Sequence, residues 1–166
     1  MISLVAAVGK NGELGAKNQL LFRLKMDAQF FKALTYGKTV IMGSNTFKGI
    51  GHPLTGRTNI VLTTKPCEET QVSGVSYATL TTGFFELLAA SPIEFFVIGG
   101  AIVYSQFLPY ATTIYLTEID SDAEADTFFP DFDREAFDKD PLAVGHEDGI
   151  PFKIVKYTRR GTQWKK

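Results

Sequence analysis

Apolar residues recur along the chain in short runs, and polar or glycine-containing segments separate these runs. Short apolar runs without strict alternation are typical of strands that are covered on both faces, as in a parallel sheet. We predict strands at residues 2–8, 39–42, 59–63, 95–98, 113–119 and 152–157, and helices at 26–35, 44–50, 82–90 and 101–108. This alternation indicates an α/β fold with a mainly parallel sheet covered by helices on both faces.

The predicted helix at 26–35 has a charged residue on its apolar face. Asp27, Phe30, Phe31 and Leu34 follow the spacing i, i+3, i+4 and i+7, which places them on a single buried face. An aspartate in the first turn favours the helix dipole and needs no other purpose. Alternatively, desolvation beside the two phenylalanines raises the pKa of Asp27 and prepares it for a donor-rich ligand.

The composition is that of an ordinary globular protein. The 166 residues are 45% hydrophobic and 21% charged. They contain no repeat, low-complexity tract or linker that would mark a domain boundary. We therefore predict one domain over 1–166, with an unassigned tail from about 159. Seventeen basic against eighteen acidic residues give a net charge of −1, which predicts no general attraction to nucleic acid or membranes. The segment 118–140, with ten acids and two bases, is interpreted mainly as a solvated acidic loop beside a basic terminal strand.

Cys67 is the only cysteine, so no internal disulfide is predicted and a reducing compartment, the cytoplasm, is the simpler inference. The apolar opening at 2–8 is too short for a signal sequence or a membrane span and is predicted to be the first strand. His52 and His146 have no cysteine or histidine at ligand spacing, so no metal site is predicted.

A long glycine-containing loop follows the first strand. Residues 9–22 contain three glycines and two asparagines and show no clear helix or strand period. A loop of this length is uncommon unless it is a lid or a binding loop, and its leucines could cover a site. An ordinary surface loop is the alternative.

Two strands run directly into glycines and then into a predicted helix. In VIMGSNTF the glycine is Gly43, and in VIGGAIVY the pair is Gly99 and Gly100. Exposed N–H groups at such helix starts can hold phosphate, although either segment alone could be a tight turn and neither is the dinucleotide fingerprint G-x-G-x-x-G. Two such starts in one small domain suit a ligand with two phosphates.

Arg57 lies between a turn and a strand in GHPLTGRTNIVLTTK. Its guanidinium could bind a carboxylate or phosphate through two hydrogen bonds, or it could be a solvated residue at a strand end.

Taken together, these segments resemble the dihydrofolate reductase family from residue 1 to about residue 158. The resemblance rests on the succession, in the family's order, of ISLVAAVGKNGELG, D-x-x-x-F-x-x-x-T at 27–35, VIMG, IGHPLTGRTNIVLT, VIGGAIVY, QFLP, IYLT and EADTFFP. It implies a mainly parallel central sheet with an antiparallel C-terminal strand and about four flanking helices. It also implies a monomer that reduces 7,8-dihydrofolate with NADPH, by hydride transfer to pterin C6 and protonation of N5.

The resemblance also implies the roles of individual residues. Asp27 would accept hydrogen bonds from pterin N3–H and the 2-amino group with support from Thr117, and Arg57 would hold the glutamate α-carboxylate. Leu20 and Phe22 would complete the catalytic group. The other implied substrate contacts are Val5, Ala6, Phe31, Ile50, Leu54, Ile98 and Tyr104. The implied cofactor contacts are Ala7, Leu14, Gly15, Leu20, Gly43, Ser44, Asn45, Thr46, Leu62, Thr63, Thr64, Lys65, Gly99, Gly100, Ala101, Ile102, Val103 and Tyr104.

In the family, the glycines that match Gly99 and Gly100 are joined by a cis peptide. Residues 9–22 would be the mobile loop that closes over nicotinamide, and Asp126 would latch this loop through backbone N–H groups.

The chain departs from the family pattern at several positions. Leu21 and Phe22 stand where the family usually has proline and tryptophan, so an indole donor is lost. Ser44 and Ile102 stand where many bacterial relatives have arginines near the 2′-phosphate, and Lys65 could compensate.

Two alternative functions remain. One is a reductase of the same fold that acts on a ribosylated pyrimidine in riboflavin synthesis, and the other is a folate- or nucleotide-binding module without turnover.

Overall fold

The computed structural model describes residues 1–17, 19–64 and 72–161. Its main sheet consists of β1 (Ile2–Val8), β4 (Thr39–Gly43), β5 (Thr58–Leu62), β6 (Val75–Ala78), β7 (Phe95–Gly99), β8 (Thr113–Ile119), β10 (Phe137–Glu147) and β11 (Ile150–Arg159). The helices are α1 (Lys25–Thr35), α2 (Ser44–Ile50), α3 (Thr82–Ala90) and α4 (Ala101–Phe107). A smaller sheet contains β2 (Glu13–Ala16), β3 (Gln19–Leu20) and β9 (Thr127–Phe128).

The strand order of the main sheet is β10-β11-β8-β1-β7-β4-β5-β6. The strands from β8 to β6 in this order pair in parallel, whereas β11 pairs antiparallel with both β8 and β10. This arrangement confirms the predicted α/β class, the mainly parallel sheet and the antiparallel C-terminal strand.

The central strands are buried on both faces, which explains their nearly continuous apolar sequences. In β1, Leu4 belongs to an apolar core on one side of the sheet, and the next residue, Val5, belongs to a second cluster on the other side. Successive side chains of a strand point to opposite faces, so one strand contributes to both layers. The second cluster is the one that faces α1.

The predicted acidic loop at 118–140 is wrong at its end, because residues 137–140 belong to the long strand β10. β10 is the edge strand, and Asp138 and Asp140 are exposed on it. Its hydrogen bonds to β11 do not depend on an apolar pattern, so its composition gave no strand signal. β6 was not predicted either, and the helix predicted at 101–108 ends at Phe107, followed by a 3₁₀ turn at Leu108–Tyr110.

The predicted buried face of α1 is present, but its residues are less buried than the pattern indicates. Thr35 is the buried residue of this helix, while Asp27, Phe30, Phe31 and Leu34 are only partly buried. This face packs against the apolar cluster around Val5 and stays partly open together with Phe31, Ile50, Leu54 and Ile98; we call this half-buried surface between α1 and the sheet the cleft. This half-burial is what makes the carboxylate of Asp27 accessible to a ligand.

Candidate active site

Asp27 meets a hydroxyl group from the sheet. In the parallel pairing of β1 with β8, Thr117 is the partner of Ala7, and the Thr117 residue is only 2% exposed. Thr117 Oγ1 donates a hydrogen bond to Asp27 Oδ1 at 2.5 Å. The structure therefore brings together the two residues that the resemblance pairs, although they lie on different elements.

The environment of Asp27 distinguishes between its two interpretations. Burial raises the pKa of Asp27 above its ordinary value, and the hydrogen bond from Thr117 opposes part of this rise. An aspartate that only stabilised the helix dipole would gain no stability from being buried. The observed position favours a carboxylate that is poorly solvated and can be stabilised by a ligand with hydrogen-bond donors.

Tyr104 connects α4 with the first strand. Its side chain is 4% exposed, and its hydroxyl donates a hydrogen bond to the carbonyl oxygen of Val5 at 2.6 Å. Burial, together with the nearby charge of Asp27, raises the pKa of Tyr104 far above its ordinary value. Tyr104 therefore stays neutral and fixes the backbone of β1, which forms the floor of the cleft.

An apolar cluster on the α1 side of the sheet supplies most of the predicted substrate wall. Val5 is one of its buried members, and Phe31, Ile50, Leu54 and Ile98 pack against it as partly buried residues. Ala6 packs instead against the core on the opposite side. Ala6 could thus contact a ligand in this cleft only through its backbone.

Arg57 is held at the far end of α1 from Asp27. Its Nη1 donates to Thr35 Oγ1 and its Nε donates to the carbonyl oxygen of Thr55, both at 3.2 Å. The guanidinium carbon lies 5.8 Å from the centre of the Phe31 ring. Burial lowers the pKa of Arg57 from its ordinary value, but a guanidinium remains charged at neutral pH. The cleft thus has a carboxylate at one end and a cation at the other.

Sequence reasoning missed Asn59, which shapes the segment that carries Arg57. Asn59 is 2% exposed; its Oδ1 accepts a hydrogen bond from Leu54 N–H at 2.9 Å, and its Nδ2 donates to the carbonyl oxygens of Leu54 and Arg57 at 3.1 and 3.0 Å. The signal that could have identified it is a single amide side chain within the apolar strand sequence TNIVL. Such a residue must find partners when it is buried.

We expect Asn59→Ala to lower the free energy of unfolding by about 1 to 2 kcal/mol, because the polar groups of Leu54 and Arg57 lose their buried partner. The KM for a substrate that Arg57 binds should rise at the same time, since Leu54 and Arg57 lose their fixed positions. Urea unfolding and steady-state kinetics measure the two effects. Unchanged stability and KM would contradict this role. Gln106→Ala, which removes an exposed amide from α4, is the control for amide removal.

The two glycine-associated helix starts are neighbours in the structure. β4 and β7 are adjacent parallel strands, so α2 and α4 begin at the same edge of the sheet. A Cβ atom at Gly99 or Gly100 would lie 3.1 or 3.2 Å from Thr46 Oγ1, and one at Gly43 would lie 3.1 Å from Val103 Cγ2. The three glycines therefore leave a narrow space between the two helix starts, which we call the glycine cradle. The Gly99–Gly100 peptide is cis, as the resemblance implies.

The remaining cofactor candidates have mixed environments. Ser44 is partly buried, Ile102 is 77% exposed, and the side chain of Leu62 is buried in the core. Asn45 and Thr64 are exposed, while Thr63 and Ala101 are partly buried. Lys65 lies outside the described residues.

The long loop at 9–22 is more ordered than its sequence indicates. It contains β2 and β3, which form a small sheet with β9. Asp126 Oδ2 accepts a hydrogen bond from Lys17 N–H at 2.8 Å, and this contact lowers the pKa of Asp126. The structure thus contains the loop contact that was predicted for Asp126. A Cβ at Gly15 would lie only 2.6 Å from the carbonyl oxygen of Gln19, so the turn of this loop requires a glycine.

Side chains of the loop have different surroundings. Leu14 is 7% exposed and belongs to the core, so a ligand contact from Leu14 is restricted to its backbone. Leu20 is 65% exposed. Phe22 is partly buried in a cluster that also contains Ala7, Leu24 and Phe30, which places its ring near the first strand and α1.

Within the described ranges, no helix is long and apolar enough to cross a membrane. The same residues contain no group of three or more His, Cys, Asp or Glu side chains that could hold a metal ion.

Comparisons with known proteins identify relatives of this chain. The sequence model described as dihydrofolate reductase matches residues 1–159. The chain is 41% identical over 132 residues to dihydrofolate reductase type 3 of Salmonella typhimurium, covering 80% of each chain. It is 37% identical over 158 residues to dihydrofolate reductase of Neisseria gonorrhoeae, covering 95% of this chain and 94% of the relative.

Among solved structures, dihydrofolate reductase from Enterococcus faecalis, complexed with NADP(H) and RAB-propyl, has a TM-score of 0.85 and 29% sequence identity, and the match covers 96% of each chain. The agreement in sequence therefore extends to the arrangement of strands and helices around the cleft. The chain belongs to the dihydrofolate reductase family.

Proposed function

We propose that this protein reduces 7,8-dihydrofolate to 5,6,7,8-tetrahydrofolate with NADPH, and that the cleft between α1 and the sheet binds the folate. The observation that carries the assignment of the site is the desolvated pair of Asp27 and Thr117 at the end of an apolar cleft. The family relationship supports the reaction, and the Enterococcus faecalis relative was solved with NADP(H).

Asp27 would orient the pterin ring. The pterin presents N3–H and the 2-amino group as two parallel donors, which match the two oxygens of a carboxylate. Thr117 holds Oδ1 from the sheet, so the carboxylate has a fixed direction. A rigid carboxylate in a poorly solvated cleft can favour the protonated pterin that accepts hydride, since its interaction with a cation is stronger there than in water.

Arg57 would bind the α-carboxylate of the glutamate tail at the other end of the cleft. The apolar residues Phe31, Ile50 and Leu54 lie on the same face of the sheet and would line the aminobenzoyl ring. The polar, apolar and cationic parts of the cleft thus follow the same order as the pterin, the aminobenzoyl group and the glutamate.

The glycine cradle fits the pyrophosphate of NADPH. Its backbone approaches Thr46 and Val103 so closely that a side chain at any of its glycines would reduce the space. Residues Gly43 to Thr46 and Gly99 to Val103 would hold the phosphates with backbone N–H groups, as helix starts do in other nucleotide sites. When bound, NADPH supplies the hydride.

The protein-derived part of catalysis would then be alignment. Asp27 and the apolar wall fix the pterin, and Phe22 with Ala7 limits the space beside it. Holding two reactants in a reactive orientation can supply up to about 7 to 11 kcal/mol. In this proposal the protein is a monomer in the cytoplasm, with dihydrofolate and NADPH as its only partners.

The first test is the decrease of NADPH absorbance in the presence of dihydrofolate. We expect turnover with NADPH, and slower turnover with NADH at equal concentration. Because Ser44 and Ile102 carry no cationic charge, the difference between the cofactors should be smaller than in relatives with arginines there. Binding of both ligands by isothermal titration without cofactor consumption would instead identify a binding module. Turnover of a ribosylated pyrimidine but not of dihydrofolate would identify the other reductase.

A further inference from the structure

The turn between β10 and β11 lies against the start of α1. Glu147 ends β10 and pairs with Ile150 across a two-residue turn, in which Asp148 has φ 50° and Gly149 has φ 80°. The Glu147 carboxylate accepts hydrogen bonds from Lys25 N–H through Oε1 at 2.8 Å and Oε2 at 2.9 Å. Oε2 also lies 3.4 Å from the backbone nitrogen of Met26.

This carboxylate supplies a cap that α1 does not provide for itself. The residue in the N-cap position is Leu24, which has no side-chain acceptor and is buried in an apolar cluster with Ile119 and Phe152. The first N–H groups of a helix need external acceptors, and negative charge is favourable at this end. Glu147 meets both needs from a position 122 residues away in the sequence.

The register of the hairpin determines that Glu147 faces the helix. Alternate residues of a strand share a face, so Ala143, Gly145 and Glu147 point to the same side. Ala143 packs against the cluster that contains Leu24, and the ring of Phe152 fills the space that a side chain at Gly145 would need. A two-residue turn fixes this register, and a shift by one residue would turn Glu147 away from α1.

Asp27 follows Lys25 by two residues in the same helical turn, whereas its partner Thr117 belongs to β8. A shift of the first turn of α1 would therefore move Asp27 relative to Thr117 and to the pterin. We propose that Glu147 is a positioning residue of this enzyme: it holds the first turn of α1 at its backbone amides and thereby sets the place of Asp27. This inference rests on the proposed function.

Replacement of the carboxylate tests the contact. We expect Glu147→Ala to lower kcat/KM for dihydrofolate by about three- to thirtyfold, because loss of a cap disfavours the ordered first turn of α1 by a factor of this order. Glu147→Gln, which keeps one acceptor oxygen, should recover part of this loss. Asp140→Ala removes an exposed acid from the same strand and should leave kcat/KM unchanged. The Kd for NADPH should stay the same in all three variants, because α2 and α4 are not part of the contact.

A double-mutant cycle with Asp27→Asn separates positioning from a general loss of structure. If Glu147 acts through Asp27, Glu147→Ala should change kcat/KM by less than about twofold once Asp27 is already replaced, because coupled residues are not additive. An equal fold-loss in both backgrounds, or equal losses for Asp140→Ala and Glu147→Ala, would overturn the proposal. If the wild-type protein shows no turnover, the proposed function fails, and the same cycle measured on the Kd for dihydrofolate still decides whether Glu147 positions Asp27.

Discussion

Asp27→Asn is expected to lower kcat/KM for dihydrofolate at neutral pH by about a hundredfold, equivalent to roughly 3 kcal/mol of transition-state stabilisation. Asparagine has nearly the same shape and can still accept the hydrogen bond from Thr117, so the fold should remain intact. What it lacks is the negative charge, and its amide group replaces one of the two acceptors that a pterin needs. Steady-state NADPH oxidation measures the loss.

Two comparisons make this result specific. Asp140→Asn removes an exposed carboxylate from β10 and should keep wild-type kcat/KM. Thr117→Val should give a smaller loss than Asp27→Asn, since it removes the hydroxyl that orients the carboxylate but keeps the charge. Wild-type kcat/KM for Asp27→Asn at neutral pH would show that this carboxylate does not serve the reaction.

The raised pKa of Asp27 adds an expectation for stability. Because the folded state disfavours the charged carboxylate, the wild-type protein loses stability as pH rises from the unfolded-state pKa through the folded-state pKa of Asp27. Asp27→Asn removes this penalty, so the ligand-free variant should have the higher Tm at pH 7. The difference should disappear as pH falls below the ordinary range of an aspartate, and thermal unfolding over this pH range measures it.

Arg57→Leu should have the second largest effect, mainly on KM. The glutamate carboxylate is remote from the reacting carbon, so its contact is the same before and during hydride transfer and contributes uniform binding. We expect KM for dihydrofolate to rise by about tenfold to a hundredfold, or roughly 1.5 to 3 kcal/mol for a charge-assisted contact, with little change in kcat.

A substrate without the glutamate provides the matched control for Arg57. The wild-type protein and Arg57→Leu should reduce such a dihydropteridine with similar kcat/KM, because the guanidinium then has no partner to lose. Arg160→Leu, at an exposed ion pair with Asp138, controls for removal of a surface arginine. A large fall in kcat with unchanged KM would place Arg57 near the chemistry and contradict the assignment.

The sequence predicted the central part of the fold well, since strands that are buried on both faces have a simple apolar signature. The limits of β1 and β8 agree with the structure at both ends, and so do those of α2 and α3. The edge strand β10 was missed because it begins with the exposed charged residues Asp138, Lys139 and Asp140, followed by Pro141, so its first half has no apolar pattern. The side chain of Leu14 was expected to help cover a site but lies in the core, because an apolar side chain in a loop can belong to either. The cofactor contact of Leu14 stays a prediction, now restricted to its backbone.

For the site, residue type and order were sufficient to pair Asp27 with Thr117 once the family resemblance was recognised. They did not reveal Asn59, whose side chain bonds to backbone groups only two and five residues away, or Glu147, whose partner is a backbone amide on a distant helix. Contacts to backbone groups leave no pattern of complementary side chains in the sequence. Such residues become visible only when the elements are placed in space.

The partners Asp27 and Thr117 are 90 positions apart, and β8 lies between β1 and β11 in the finished sheet. A high-affinity folate analogue that contacts both residues can therefore bind only those protein molecules in which β8 has already paired with its neighbours in the sheet. By mass action, bound analogue draws partly unfolded chains into the native population. In a cell, such a compound should protect destabilised variants of this protein from proteolysis, including variants altered far from the cleft, and so raise their abundance while it blocks their activity.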